Sequence, residues 1–358
     1  MNPIEIRHAL HRIPELSSNE RGTQAFIKEL LSEWGIPVRP IADTGLLAVW
    51  QHAGDEPFRL FRADMDGLPL HEASGAAFSS IYPDCMHACG HDVHMATLLG
   101  LIQRVIADKP RANILFLFQP AEEADGGAER CLPELAAFSI AEAWAMHVTD
   151  EYPLGTVVCR PGILFASCLE LDCRFRGKSA HVAFHEQGRD AILGACELLS
   201  EVYQRDWGNG AVRFGRIAGG RVRNAVADEC TLFGTLRTES REKCRDVTGQ
   251  IVEMGGEIAA RRELRFEHAT GAQYPQVSVN PELFETLKKL VPVTSCEMKY
   301  TGEDFGFFSL TWPSLMFWFG TRGPQQTSLG LHHPGFLPPD ETIERAIEVF
   351  WKIALHTS

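Results

Sequence analysis

The chain has 358 residues, 45% of them hydrophobic and 23% charged, values typical of a globular protein of about two domains. Its formal net charge of −13 argues against nucleic acid as a partner, because phosphate binding requires a basic face. No apolar run of about 18 residues predicts a membrane span. Residues 1–7 lack the features of a secretion signal, so the ten cysteines are interpreted as reduced thiols in the cytoplasm.

The first part of the chain is predicted to alternate helices and strands, with amphipathic helices at 4–16 and 23–34 and strands at 46–50 and 58–66. The second strand ends with Asp64 and Asp66, whose side chains point the same way in an extended backbone. Ligands of open α/β sheets bind at that end of the strands, although a solvated pair of loop acids would leave the same pattern.

Residues 85–94 are the most unusual stretch, Cys-Met-His-Ala-Cys-Gly-His-Asp-Val-His, just before a helix predicted at 91–107. Cys89 and His91 flank Gly90, whose backbone freedom allows both side chains to meet one ion. Thiolate and imidazole together suit zinc or a similar divalent metal. The alternative is a chance cluster, because cysteine is often only a small buried hydrophobe. We therefore predict a metal site here.

Two further apolar strands are followed by side chains of the same kind. Residues 113–119 are almost entirely apolar, as expected of a strand buried on both faces of a parallel sheet, and Glu122 and Glu123 follow. Residues 143–146 form another such strand, directly before His147. The pattern predicts that three strands bring Asp, Glu and His side chains to one edge of a sheet, which strengthens the metal hypothesis.

Residues 165–270 have a different pattern, in which half-exposed strands and amphipathic helices follow in the order βαββα. The predicted strands are 169–175, 212–217 and 230–237, and the predicted helices are 189–205 and 240–254. This predicts a small α+β domain inserted into an α/β domain made of residues 1–164 and 271–358. The inserted domain presents His181 on a glycine-led turn, which taken alone could equally be a surface imidazole. The larger domain is predicted to resume with a helix at 281–290, a strand at 314–319 and a helix at 340–356.

These residues resemble the dinuclear-metal amidohydrolases of the aminoacylase and carboxypeptidase G type. The matching motifs extend over essentially the whole chain: 10–16 (LHRIPEL), 62–69 (RADMDGLP), 86–92 (MHACGHD), 118–123 (FQPAEE), His147, 177–181 (GKSAH), 302–305 (GEDF) and 331–332 (LH). Together they are highly specific, whereas any one alone is not. Within that family the chain is most similar to the branch of hippurate hydrolase, auxin-conjugate hydrolases and N-acetyldiaminopimelate deacetylase, and to the last of these above all.

The resemblance implies a zinc-peptidase-like catalytic domain with a mostly parallel central sheet, and an inserted ferredoxin-like lid domain. It implies two divalent metal ions per subunit, Zn, Mn, Co or Ni, with five ligands: Cys89, His91, Glu123, His147 and His332. His332 is preferred to His333 because the family's histidine lies two residues before the proline. Glu122 resembles the general base. Asp66 occupies the place of the acid behind a metal ligand, and Asp64 the place where relatives outside the branch carry a ligand histidine.

His181 resembles the lid histidine that approaches the active site, commonly from the other subunit, which implies a homodimer through the lid domain. Asn224 matches a family position near the substrate carboxylate. Arg221 and Arg223 beside it are predicted to select an anionic substrate, although a solvated strand end is an equally good interpretation of either arginine alone.

The implied reaction is metal-dependent hydrolysis of the amide bond of an N-acyl amino acid. The substrate indicated is N-acetyl-L,L-diaminopimelate, which gives L,L-diaminopimelate and acetate in lysine biosynthesis. One alternative is a broader N-acyl amino acid hydrolase of the hippurate or auxin-conjugate type. Another is a protein with purely structural metal ions, against which Glu122 argues, because structural zinc sites are closed and lack a spare base.

Overall fold

The structure, a computed structural model, describes residues 1–124 and 126–356. It divides into two units, the first formed by Met1–Leu164, Val277–Met298 and Asp304–Ser358 and the second by Phe165–Gln276 and Lys299–Glu303. The predicted resumption of the larger domain at residue 271 is therefore six residues early, because a strand of the second unit continues past that point. Asp125, Thr357 and Ser358, which the prediction assigned to the larger domain, lie outside the described residues.

The helices and strands are numbered in chain order. The helices are α1 (Pro3–His11), α2 (Arg21–Glu33), α3 (His91–Asp108), α4 (Gly127–Leu135), α5 (Ala191–Gln204), α6 (Arg241–Arg262), α7 (Pro281–Leu290), α8 (Gly306–Thr311) and α9 (Glu341–Leu355). The strands are β1 (Val38–Ile41), β2 (Gly45–Gln51), β3 (Phe58–Asp64), β4 (Asn113–Gln119), β5 (Ile140–Pro153), β6 (Val157–Cys159), β7 (Gly162–Phe165), β8 (Ser167–Arg176), β9 (Ala211–Gly219), β10 (Glu229–Thr238), β11 (Arg265–Tyr274), β12 (Val277–Val279), β13 (Val293–Ser295) and β14 (Ser314–Arg322). A 3₁₀ segment covers Val182–Gln187.

Each helix and strand predicted from the sequence is present, although some differ in extent. α1 ends at His11 rather than at residue 16, since the residue before Pro14 is disfavoured in the helical conformation. α6 continues to Arg262, eight residues beyond the prediction. The short elements α4, α8, β1, β6, β7, β12 and β13 were not predicted, because few residues give too little periodicity to recognise.

The first unit is built on an eight-stranded sheet in the order β1-β2-β4-β3-β5-β14-β6-β13. Its centre, β4-β3-β5-β14, is parallel, and β2 pairs antiparallel with β4. β4 is buried along its whole length, as its uninterrupted apolar sequence predicts, and α3 packs against both α1 and α9. The mostly parallel central sheet expected from the sequence is thus confirmed.

The carboxyl ends of the parallel strands lie at one edge of this sheet. β3 ends at Asp64, and β4 ends at Gln119, three residues before Glu122. The prediction that His147 follows the end of its strand is wrong, because β5 continues to Pro153. Its pairing with β3, however, stops at Arg62 and Ala145, so His147 lies two residues beyond the last paired residue, level with Asp64. The three segments therefore still meet at one edge.

The second unit contains a four-stranded antiparallel sheet in the order β11-β8-β10-β9. α5 and α6 contact this sheet, and their apolar residues share a buried core with one side of β8 and β10. The sequence predicted βαββα, and β11 completes the ferredoxin-like order βαββαβ. β11 was not predicted because it is an edge strand that is largely exposed, without a regular apolar alternation.

Among the described residues, none of the helices combines the length and apolar character that crossing a membrane requires.

Candidate active site

A turn before α3 places the first two predicted metal ligands. Gly90 has φ +87°, and a Cβ there would lie 2.3 Å from Val148 Cγ2, so only glycine fits this turn. It separates Cys89 from His91, which is the first residue of α3. Both side chains are buried. His94 is three residues further on, and therefore lies on the same face of α3 as His91.

These side chains meet the two glutamates after β4 and the histidine of β5. Cys89 Sγ lies 3.4 Å from His147 Nε2. Potential ligand atoms of Cys89, His91 and His147 all lie within 4.8 Å of one another, as do those of His91, Glu122 and Glu123. His91 thus belongs to both groups, and the groups are adjacent. This arrangement resembles a pair of neighbouring cation sites.

His332 is brought to the same place by a long loop. Its Nε2 lies 3.4 Å from Glu123 Oε1, and together with Cys89 it forms a third group of potential ligands within 4.8 Å. Its backbone N–H donates to Ala88 O at 3.0 Å, which ties the loop to the Cys89 turn. His333 is turned to its own loop, where its Nδ1 accepts a hydrogen bond from the N–H of Gly335.

Asp66 lies behind His91. Its backbone O accepts a hydrogen bond from His91 Nδ1 at 2.9 Å, and its Oδ1 lies 3.2 Å from the same nitrogen. Its Oδ2 accepts hydrogen bonds from Ser17 Oγ at 2.7 Å and from the N–H of Glu123 at 2.9 Å. Burial lowers the pKa of His91, but the carboxylates of Asp64, Asp66 and Glu123 outweigh it and raise that pKa to about 10. Asp66 therefore fixes the orientation of the His91 ring and also restrains the turn that carries Glu123.

Asp64 is engaged in a different set of contacts. It accepts hydrogen bonds from Arg62 Nη1 at 2.6 Å and from His94 Nδ1 at 2.5 Å. His94 Nε2 in turn accepts the N–H of Val148 at 3.0 Å. Burial lowers the pKa of His94, so the ring is neutral with its proton on Nδ1. Asp64 and Asp66 were predicted to face one point. Both lie beside the His91 ring, but on opposite nitrogens: Asp64 is 3.7 Å from Nε2 and Asp66 is 3.2 Å from Nδ1.

The donor atoms of this cluster fit a divalent metal. His91 Nε2 and Glu123 Oε1 are buried and have no hydrogen-bond partner within the described part of the chain. Burial lowers the pKa of His147, which leaves a neutral imidazole that can coordinate. Burial and the nearby carboxylates of Glu123 and Glu122 raise the pKa of Cys89, so its thiolate forms only when a cation is present. Cation binding would therefore release protons and satisfy the two orphaned atoms.

The remaining predicted site residues belong to the second unit. His181 is exposed, and its Nδ1 accepts the N–H of Ala183 at 3.1 Å, so Nε2 carries the proton of the neutral ring. The N–H of Val182 donates to Asn224 O at 3.1 Å, which places the His181 turn beside the Asn224 segment. Arg221 and Arg223 are exposed, and Arg221 Nη2 lies 3.7 Å from Asp228.

Several residues that shape the site were not assigned from the sequence. His94 could have been assigned, because it lies within the unusual stretch and one helical turn from His91. Arg62 lies two residues before Asp64 on β3, in a motif that was recognised, but a buried arginine leaves no periodic signal. Ser17 and Glu20 reach the site from the loop before α2, which no local pattern indicates.

The chain is similar to known proteins in sequence and in fold. It is 35% identical over 361 residues to a protein of Shouchella clausii named N-acetyldiaminopimelate deacetylase, an alignment that covers 96% of this chain and 95% of that protein. A Bacillus pumilus protein of the same name is 34% identical over 366 residues, with 97% and 95% covered. Among solved structures, Bacillus subtilis YXEP, described as a dinuclear metal binding peptidase from the M20 family, is 27% identical with a TM-score of 0.86, covering 98% of this chain and 96% of its own.

The family model for peptidase family M20/M25/M40 matches residues 60–356, which include nearly all of the buried cluster and the whole of the second unit. The fold, the near full-length relatives and this match agree with one another. The chain belongs to peptidase family M20/M25/M40.

Proposed function

We propose that this protein is a metallo-amidohydrolase that converts N-acetyl-L,L-diaminopimelate to L,L-diaminopimelate and acetate. Support comes from its family and from two near full-length relatives named N-acetyldiaminopimelate deacetylase. The observation that carries the proposal is the position of Glu122, a buried carboxylate within 4.8 Å of the potential ligand atoms of His91 and Glu123. A purely structural metal site would not need this additional acid.

Two divalent ions are proposed to bind in the cluster, held by Cys89, His91, Glu123, His147 and His332. The neutral His147 and the orphaned atoms of His91 and Glu123 support this ligand set. Bound as a pair, such ions would lower the pKa of a shared water and polarise the scissile carbonyl.

The protein's own groups would then move the protons. Glu122 accepts a proton from the attacking water and passes it to the leaving amine. Asp66 holds His91 in the orientation that presents Nε2 to the cation. His181 keeps its proton on Nε2, because Nδ1 accepts the N–H of Ala183, and can therefore donate to the developing oxyanion.

The substrate's carboxylates require positive charge from an otherwise acidic chain. Asn224, Arg221 and Arg223 are proposed to bind them, because the guanidinium fork of arginine matches a carboxylate in two hydrogen bonds.

A homodimer through the second unit is also proposed. β9 is an edge strand whose Ile217 is 50% exposed, and Val222 just beyond it is 61% exposed, so both could be covered by a second subunit. We assign the reaction to the cytoplasm, where thiols such as that of Cys89 stay reduced.

The test is turnover of N-acetyl-L,L-diaminopimelate, N-acetyl-methionine and hippurate by the protein loaded with zinc, manganese or cobalt. Acetate and free amine are measured for the first two substrates, and glycine for hippurate. The highest kcat/KM is expected for the diaminopimelate derivative, and removal of metal with a chelator should abolish the activity. Comparable values for all three substrates would instead identify a broader N-acyl amino acid hydrolase.

Glu122→Gln is the decisive variant, because the amide keeps the shape of the side chain but cannot accept the proton. Turnover should fall about 10²–10⁴-fold, with metal content unchanged. Glu129→Gln, an exposed change on α4, is the matched control and should leave turnover intact. Wild-type activity in Glu122→Gln would remove this residue from the role of general base.

A further inference from the structure

The turn that carries Glu122 and Glu123 has an unusual backbone. Ala121 has φ +55°, a left-handed conformation that is uncommon for a residue other than glycine and is retained only when its surroundings enforce it. The turn closes when the N–H of Gly127 donates to Ala121 O at 3.0 Å. A Cβ at Gly127 would lie 1.7 Å from Pro120 O, so the backbone passes very close to itself here. Something other than local preference must hold this shape.

Three buried carboxylates from distant parts of the first unit accept backbone N–H groups of this segment. Glu20 Oε1 accepts the N–H of Ala121 at 2.8 Å. Asp66 Oδ2 accepts the N–H of Glu123 at 2.9 Å, and Asp304 Oδ2 accepts the N–H of Ala128 at 2.8 Å. Asp66 lies beside His91, and Asp304 also binds Arg62 and Gln119 at the strand ends. Glu20, in contrast, is bonded to Ser18, Thr44 and Ala121.

The surroundings of Glu20 make it a fixed anchor. Its side chain is fully buried, just before α2. Oε1 also accepts the N–H of Ser18 at 3.0 Å, and Oε2 accepts the hydroxyl of Thr44 at 2.5 Å. The carboxylate therefore connects the loop before α2, the start of β2 and the turn after β4. Its bond to Ala121 is made by the strained residue itself, which directly precedes Glu122.

We infer that Glu20 is a positioning residue, which holds Ala121 in its left-handed conformation and so aims the Glu122 carboxylate at the reacting water. This inference rests on the proposed role of Glu122 as general base. Without the bond from Glu20, Ala121 relaxes to a right-handed conformation and the following carboxylate moves away. A displacement of about 1 Å at a catalytic group can lower the rate by about 10²-fold.

The experiment compares four variants in the turnover assay with the best substrate. Glu20→Ala removes the acceptor, and kcat should fall about 10–100-fold while KM and metal content change less than about twofold. Glu20→Gln keeps an oxygen for Ala121 and can donate to Thr44, so it should retain most of kcat. Glu20→Asp withdraws the carboxylate by one methylene and should behave like Glu20→Ala, which covers the case in which the alanine variant does not fold.

Thr44→Val is the matched control. It removes the hydroxyl bonded to Oε2 and destabilises the same buried site, but leaves the bond to Ala121. It should lower the melting temperature without lowering kcat. Equal losses of kcat in Thr44→Val and Glu20→Asp, at equal losses of melting temperature, would mean that Glu20 serves stability alone and would overturn the inference.

Amide hydrogen exchange in a peptide spanning residues 118–124 gives a readout that does not depend on activity. Exchange at Ala121 should be faster in Glu20→Asp than in Thr44→Val, because only the former loses the acceptor. If the wild-type protein hydrolyses none of the substrates, the proposed function fails, but the exchange result still decides whether Glu20 holds the turn. Unchanged exchange at Ala121 in the Glu20 variants would refute the inference directly.

Discussion

One carboxylate binds the loop that carries His332 at three points, which makes the contribution of this loop to metal binding testable. Asp150, three residues after His147 on β5, accepts hydrogen bonds from Ser328 Oγ at 2.8 Å, Leu329 N–H at 2.6 Å and Gly330 N–H at 3.1 Å. These bonds end two residues before His332. We expect Asp150→Ala to release the loop and weaken the binding of the ion that His332 is proposed to hold.

The expected loss of metal affinity follows from the three hydrogen bonds to Asp150. The site is partly exposed, so each bond contributes about 0.5–1 kcal/mol, below the usual range for a charged acceptor. Their combined loss of about 1.5–3 kcal/mol corresponds to about a 10–100-fold weaker affinity for one of the two ions. This agrees with the 10–100-fold loss typical when a group that orients a metal ligand is removed.

Competition with a chelator of known affinity measures this change, and elemental analysis after dialysis gives the number of ions retained. Asp150→Ala should retain one ion firmly and lose the other. Ser328→Ala removes only one of the three bonds and should weaken the same ion about two- to fivefold. Two tightly held ions in Asp150→Ala would refute the argument that this carboxylate orders the His332 loop.

Three further predictions concern the proposed roles. Cys89→Ala should lower metal content, because the thiolate is a proposed ligand, and elemental analysis showing full occupancy would remove Cys89 from the ligand set. His181→Ala should lower kcat about 10²–10³-fold without loss of folding, and mixing it with Glu122→Gln subunits should restore some activity if the histidine acts across a dimer. Failure to restore activity in demonstrated mixed dimers would place its action within one chain. Arg221→Ala or Arg223→Ala should lower kcat/KM for acetyl-diaminopimelate at least about tenfold more than it lowers kcat/KM for acetyl-methionine. Equal losses for both substrates would contradict a role in selecting the anionic head.

The sequence by itself determined most of the longer helices and strands and indicated the chemistry of the site. The apolar run of β4 and the alternation in β8 encode burial on two faces and on one face, and such patterns depend only on neighbouring residues. The density of ligand side chains around Cys89 indicated a metal site in the same way. The family motifs added the fold, the reaction class and the choice of His332, because a spaced set of motifs is far more specific than any single one.

Only the tertiary structure decided how the site is held. The bond from His94 to Asp64, the bond from Glu20 to Ala121 and the bonds from Asp150 to the His332 loop join residues 30 to about 180 positions apart. Hydrogen bonds of that kind have no period in the sequence, since each depends on where two remote backbones are brought together by the packing of the core. The left-handed conformation of Ala121 could not be predicted from the sequence either, because alanine rarely adopts a positive φ. The buried groups around Ala121 impose this conformation.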